Sequence, residues 1–538
     1  MTASDLQPAF LTADQCRQWM AATPLGNSVQ ALAHLLRQLN LLNRNNVHPV
    51  ERLAILEVLR KPILQAQEEG AKRFLGKPLP LVPPEQAAFD SAQAVWQGLL
   101  KGYGRCIEVE MVHAATGNPR LALLFQRALA TLAAAQIDIY RAGFEPSAEH
   151  WLALHKLFAT AEHAGIVDTE VEDAVRQGRT PSSPRAVYAE VMLLHATSPH
   201  ELSSRHLAWV ARWARRWARK VRIVASTPAL DGETVPLNID LAAGRAAGYR
   251  LVEGPNARWL DTSEVRRSLK KRLSQLEKGT PPAELQLGED CTQPACGQVL
   301  KHVYQRWCRG GINRKHERTA TDATCAVVIG VEGIYYHLAG EQPFRQPGYT
   351  DDEALRRERD EMATFGRIAP RSLGALGQQQ SFRAEDWNVV EEWQMLDDSA
   401  TGIHAAHPLS DILERVSQRQ LVAVRPPAAA AFLIGNLRWT MVTGDARLHV
   451  GIMILPGRPE AIALRAVELS GVREPYRPGF LLPAVPAVGS AASIITPPGT
   501  FRAGRMLELS GGPLPRVRLT HLIDRGIDFD RVGFEPLA

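Results

Sequence analysis

The run Trp387-Asn-Val-Val-Glu-Glu-Trp-Gln-Met-Leu396, followed by Asp397-Asp-Ser-Ala-Thr-Gly402, decides how the second half of this chain reads. Its β-branched and aromatic residues interleaved with polar ones describe a strand. The strand runs into a tight polar turn of the form D-x-S-x-x-G and re-enters a strand at Ile403. Aspartate and serine favour such a turn because their side chains bond nearby backbone, and glycine tolerates backbone geometry that other residues resist.

Upstream, Arg309-Gly-Gly-Ile-Asn313 reads as a polar hinge and leads into Arg314-Lys-His-Glu-Arg318, which spells R-x-x-x-R. The largely apolar run at 324–338 then predicts a first strand. Residues 341–385 do not fit a compact sheet: they hold a charged helix-like piece at 351–362 and the tail Gly374-Ala-Leu-Gly-Gln-Gln-Gln380, and read as an insertion or loop. Downstream, strands are predicted over 421–425, 431–442 and 446–455, the last two joined by Thr443-Gly-Asp445. Shorter β-like runs at 480–482, 492–496, 506–509 and 517–522, separated by proline and glycine, suggest a small barrel or a barrel with an appended sheet.

The first half has a different period. Helices are predicted over 28–42, 50–59 (Pro49 in the first turn, Pro62 past the end), 121–141, 146–164, 186–196 and 205–222. The run Lys77-Pro-Leu-Pro-Leu-Val-Pro-Pro84 marks an extended connector. Trp209, Trp213 and Trp217, four apart, share one face of a helix rich in arginine. That spacing is what core packing demands, although a membrane-surface or nucleic-acid helix would show it too. Strands at 221–225 and 235–240 and a helix at 259–278, with Asp261 and Glu264 at capping-box spacing, form a small α+β unit; a helix at 297–307 comes next.

The fold class is therefore α+β and multidomain. A helical module (1–220) is followed by the connecting unit (221–308), a strand-rich β module (309–455, insertion 341–385) and an appended C-terminal β segment (456–538). A chain of 538 residues is too long for one core. Its 45% hydrophobic and 22% charged residues, and formal charge of +5, are ordinary for a water-soluble protein. The mild excess of positive charge suits an anionic ligand but does not by itself argue for nucleic acid.

The basic segment and the acidic turn together resemble the PilZ family of cyclic di-GMP receptors. The stretches Phe432-Leu-Ile-Gly-Asn-Leu-Arg-Trp-Thr-Met441 and Leu448-His-Val-Gly-Ile-Met-Ile454 resemble that family's closing strands. The resemblance covers 309–455 and implies a six-stranded antiparallel barrel that binds the dinucleotide, here with a long helical region before it. It implies that Arg314 and Arg318, on an arm headed by Arg309, hold phosphate and guanine faces. It implies that Asp397 and Ser399 hold guanine edges and that Gly402 shapes the turn.

The chemistry suits these residue types. Arginine forks onto phosphate or onto guanine O6 and N7, and a carboxylate accepts from guanine N–H groups. From Arg318 to Asp397 is 397 − 318 = 79 positions, longer than the family's usual interval, which the 341–385 insertion would absorb. A rival R-x-x-x-R, Arg367 to Arg371, lies only 397 − 371 = 26 positions before Asp397, but the Gly/Gln-rich residues after Arg371 make a poor first strand.

No P-loop, G-x-S-x-G, H-E-x-x-H or G-x-G-x-x-G pattern occurs, so the chain reads as a binder of the messenger rather than an enzyme. No metal or cofactor is expected, and His404 and His407 have no evident acidic partner in the sequence. No apolar run spans a membrane, no signal peptide is visible, and the six cysteines read as thiols of a cytoplasmic protein. The expected partners are cyclic di-GMP and a protein bound by the helical module, in regulation of motility, attachment or biofilm. The alternative is a nucleotide-independent adaptor with a degenerate barrel. Nucleic acid is the third reading, through the arginine faces at 209–219 and 266–272.

Overall fold

The computed structural model describes residues 7–24, 26–113, 118–177, 180–226, 236–310, 318–348, 389–467 and 474–537. The chain divides into two compact units, residues 1–77 with 81–314, and residues 78–80 with 315–538.

The first unit is an array of helices. Pro119–Arg141 runs through its middle, capped by Asn118, whose side chain accepts from the backbone N–H of Arg120 and Leu121. It is long and apolar enough to cross a membrane, yet 83% of its apolar window is buried inside the fold, so it serves as a core helix. Pro49–Ala71 continues through Pro62, which corrects the expectation that this proline ends it. Burial of Ile55, Leu59, Ile63 and Gln67 along one face outweighs the lost backbone bond. Pro83–His113 is a helix of 31 residues in a stretch where the sequence predicted none.

A buried ionic network ties three segments of this unit together. Asp173, with no exposed side-chain surface, receives both Nη groups of Arg60 at 2.7 Å. Gln126 Nε2 donates to it at 2.9 Å and the Arg127 guanidinium lies 3.6 Å away. Arg127 also forks onto Glu57, with Nε and Nη2 each at 2.9 Å.

The tryptophan helix is Ser204–Ala218, and Trp209, Trp213 and Trp217 are at most 1% exposed, as the core reading expects. Their indole N–H groups are all satisfied: Trp209 donates to Asp290 at 2.7 Å, Trp213 to Leu287 O at 2.8 Å and Trp217 to Ser268 at 3.2 Å. Buried rings cannot stack on bases or enter a lipid surface, which removes the sequence argument for such a role. A three-stranded antiparallel sheet, Arg222–Val224, Ala257–Asp261 and Leu237–Asp240, shares this core. Trp259 thus lies on a strand, and the helix after it starts at Ser263. Asp261 pairs with Arg222 and accepts from Ser263 N–H at 2.9 Å, instead of forming a capping box. Cys291 and Cys296 form a disulfide, correcting the reading of six thiols; Cys16, Cys106, Cys308 and Cys325 are free and buried.

The second unit holds two closed six-stranded barrels. Around the first, the strands run Glu391–Ser399, Thr324–Ile329, Leu421–Arg425, Leu433–Val442, Arg447–Ile454 and Gly402–Pro408, which pairs back onto Glu391–Ser399. All neighbours are antiparallel. The predicted first strand stops at Ile329. Gly330, with φ of +88°, turns the chain, and Val331–Leu338 is a helix that buries Ile334 and Tyr336. The C-terminal segment closes into its own barrel, Glu460–Ala466, Arg477–Leu482, Ser493–Thr496, Asp530–Leu537, Arg516–Arg525 and Met506–Ser510. Glu460–Ala466 and Asp530–Leu537 are strands that the sequence pattern did not predict. The 341–385 stretch lies mostly outside the described residues, which resume at 389.

Candidate functional site

The D-x-S-x-x-G stretch is a two-residue hairpin. Ser399 pairs with Gly402 across Ala400 and Thr401, and Asp398 and Asp397 pair with Ile403 and His404. The short strand Thr319–Ala320 pairs with Asp398 and Asp397 on the other side. That pairing brings Arg318, the residue before it, to the turn despite the long sequence interval.

Straight across the sheet, one row runs Ala320, Asp397, His404, Gly451, Trp439. Residues directly opposite on paired strands point to the same face. The neighbours Ile403, Ala405, Val450 and Ile452 fill the barrel interior, so the row lies on the outside.

Along this row the side chains connect. Arg318 Nη1 pairs with Asp397 Oδ1, each side chain 26% exposed. His404 Nδ1 lies 3.2 Å from Asp397 Oδ2, and its Nε2 lies 3.1 Å from His449 Nδ1. The Trp439 ring meets His404 edge-on at 5.1 Å. These contacts correct the expectation that His404 has no acidic partner, and His407 likewise has Glu391 at 3.8 Å. Burial first, then the charges of His404 and Arg447, hold the His449 imidazole below the usual histidine range, against the pull of Asp445. It is therefore neutral at pH 7.

The Ser399 hydroxyl donates to Gly402 O at 3.3 Å and keeps its lone pairs available. Gly402 is not in the left-handed region; it supplies room, since a Cβ there would sit 3.2 Å from Ile452 O and 3.9 Å from Arg318 Nη2. Gly451 matters more. A Cβ on it would fall 2.1 Å from Trp439 Nε1, so only glycine lets the indole lie across the row. Gly451→Ala is expected to expel the ring and destabilise the unit by about 1–3 kcal/mol, seen as a lower midpoint in thermal unfolding.

The structure thus gathers Arg318, Asp397, Ser399 and Gly402. Arg309 belongs to the first unit, as the residue after the helix Ala295–Cys308. Arg314 and the rival pair Arg367 and Arg371 lie outside the described residues. His404, Trp439 and Gly451 lie on the same row as Asp397, with His449 beside His404, and sequence reasoning did not connect them with the turn. Only register brings them in, and register is set by the bulge between Met395 and Asp397 and by barrel closure.

The assembled groups match a purine edge. The carboxylate accepts, the hydroxyl can do either, and the remaining N–H groups of Arg318 suit a phosphate or a purine acceptor. Among the described residues no cluster of three metal-ligating side chains occurs. A cleft of about 530 Å³ in the first unit is lined by Lys156, His163 and Arg258, the last held by Glu162 at 2.6 Å.

Comparison with known families gives three matches in chain order. Residues 14–228 match "Cyclic-di-GMP receptor FimW, N-terminal domain", residues 249–406 match "Cyclic-di-GMP receptor FimW, middle PilZ domain", and residues 462–537 match "FimW C-terminal beta-barrel domain". A curated relative, the "Cyclic-di-GMP receptor FimW" of Pseudomonas aeruginosa, is 22% identical over 541 aligned positions, covering 95% of this chain and 88% of the relative.

Proposed function

Since this chain belongs to the PilZ-containing family of cyclic-di-GMP receptors that these three domains describe, we propose that it binds cyclic di-GMP on the outer face of its first barrel. The observation that carries the reading is the meeting of Arg318 with Asp397 and Ser399 beside a two-residue turn. Asp397 accepts from the N–H groups of one guanine, Ser399 bonds its edge, and Arg318 leaves the carboxylate for guanine or phosphate. Breaking the Arg318–Asp397 pair costs at most about 1 kcal/mol, because both side chains reach solvent.

In this reading the protein is a cytoplasmic receptor and not a catalyst. Its helical module engages a protein partner, and the messenger controls that engagement in motility, attachment or biofilm formation. The test is calorimetric titration of the full chain with cyclic di-GMP, with linear pGpG as a control. Saturable binding of the cyclic form is expected. Absence of binding would leave the protein as a nucleotide-independent adaptor whose partners are captured equally well with and without the dinucleotide.

A further inference from the structure

His404 and His449 stand outside the D-x-S-x-x-G pattern, yet they account for one whole side of the Asp397 carboxylate. An ionised carboxylate only accepts hydrogen bonds, so the 3.2 Å contact has His404 Nδ1–H donating to Asp397 Oδ2. The opposite nitrogen of the same ring is held at 3.1 Å by His449 Nδ1. The ring's edge is held by Trp439 at 5.1 Å, in the space that Gly451 leaves open. His404 is thus fixed on three sides, and it in turn fixes the plane of the carboxylate. The other oxygen, Oδ1, carries the part-exposed Arg318 pair.

We propose, resting on the reading of this face as the dinucleotide site, that His404 and His449 are positioning residues. They hold Asp397 so that its two oxygens accept N1–H and N2–H of the same guanine. Guanine offers two parallel donors on this edge, and two parallel acceptors in a fixed plane match them without loss of carboxylate rotation on binding. A carboxylate free to turn reaches one donor as readily as two. The pair of histidines therefore sets how strongly the site demands the exocyclic N2 amine.

Cyclic di-IMP, which differs from cyclic di-GMP only in lacking that amine, is the probe. Affinities for both dinucleotides are measured by calorimetry on the full chain for the wild type, His404→Leu, His404→Asn and His449→Leu, with thermal midpoints recorded for each. The wild type is expected to prefer cyclic di-GMP by roughly tenfold or more, the worth of a hydrogen bond to a charged group. His404→Leu is expected to lose about tenfold in cyclic di-GMP affinity and most of that preference. His404→Asn, whose amide N–H falls where Nδ1–H was, should recover most of both. His449→Leu should lie between the wild type and His404→Leu.

Wild-type affinity and preference in His404→Leu would overturn the inference. So would His404→Asn binding as poorly as His404→Leu, since the effect would then be lost packing. Failure of the wild type to bind cyclic di-GMP would instead overturn the reading of the site, and the inference with it.

Discussion

Asp173→Ala is expected to lower the stability of the helical unit by about 3–5 kcal/mol, the cost of leaving a buried charge without its partner. Asp173 has no side-chain exposure and Arg60 only 5%, so the guanidinium left behind cannot reach water. Its two 2.7 Å bonds and the 2.9 Å bond from Gln126 are lost together. Arg60→Met combined with Asp173→Leu should be less destabilised than either single change, because apolar side chains of similar size leave no charge behind. Chemical denaturation of these variants checks the order. A double variant as unstable as Asp173→Ala would show the loss to be one of packing.

The same carboxylate makes a pH prediction. Burial pushes its pKa up, but the hydrogen bonds and charge of Arg60, with Arg127 and Gln126, outweigh burial and bring it down to about 2. An unfolded aspartate titrates near ~3.9. A folded pKa below the unfolded one gives stability that is present in full above about pH 4 and is lost as the pH falls toward 2. The loss from this one group is about 2–3 kcal/mol. In the Asp173→Asn protein, stability should fall less steeply across that interval.

Asp397→Ala is expected to behave in the opposite way, with little effect on folding and a large one on the ligand. Its ion pair with Arg318 is partly solvated, so the fold loses at most about 1 kcal/mol. Cyclic di-GMP affinity should fall by about 2–3 kcal/mol, or roughly 30- to 150-fold, because the guanine donors lose their acceptor in the complex. Asp397→Asn should be nearly as impaired, since an amide offers one acceptor oxygen and turns a donor toward the guanine N–H groups. Calorimetry beside thermal unfolding separates the two effects. Full affinity in Asp397→Ala would remove this residue from the site.

The two variants differ because their carboxylates differ in solvent, which no sequence pattern displays. Asp397 is legible from its turn, since D-x-S-x-x-G constrains one short hairpin and local chemistry decides it. Asp173 is not, because Arg60 and Asp173 are 113 positions apart and meet only once the helices pack. The strand at 421–425 reads correctly to the residue, since a β-branched run between polar breaks allows little else. Val331–Leu338 reads as strand but folds as helix, because eight residues with alternating and helical apolar spacing fit both periods, and Gly330 alone marks the change. Pro62 misleads in the same fashion: a local rule for ending helices loses to burial of Ile63 and Gln67 beyond it. His404, His449 and Trp439 join the site through strand register, which depends on barrel closure and cannot be counted along the chain.

Hydrogen–deuterium exchange, read peptide by peptide with and without saturating cyclic di-GMP, tests most directly whether the Asp397 turn holds the dinucleotide. Slower exchange is predicted in peptides covering Thr319–Ala320 and the hairpin 399–403, and the effect should vanish in Asp397→Ala at the same ligand concentration. Protection confined to other regions, or undiminished at the hairpin in Asp397→Ala, would contradict the assignment.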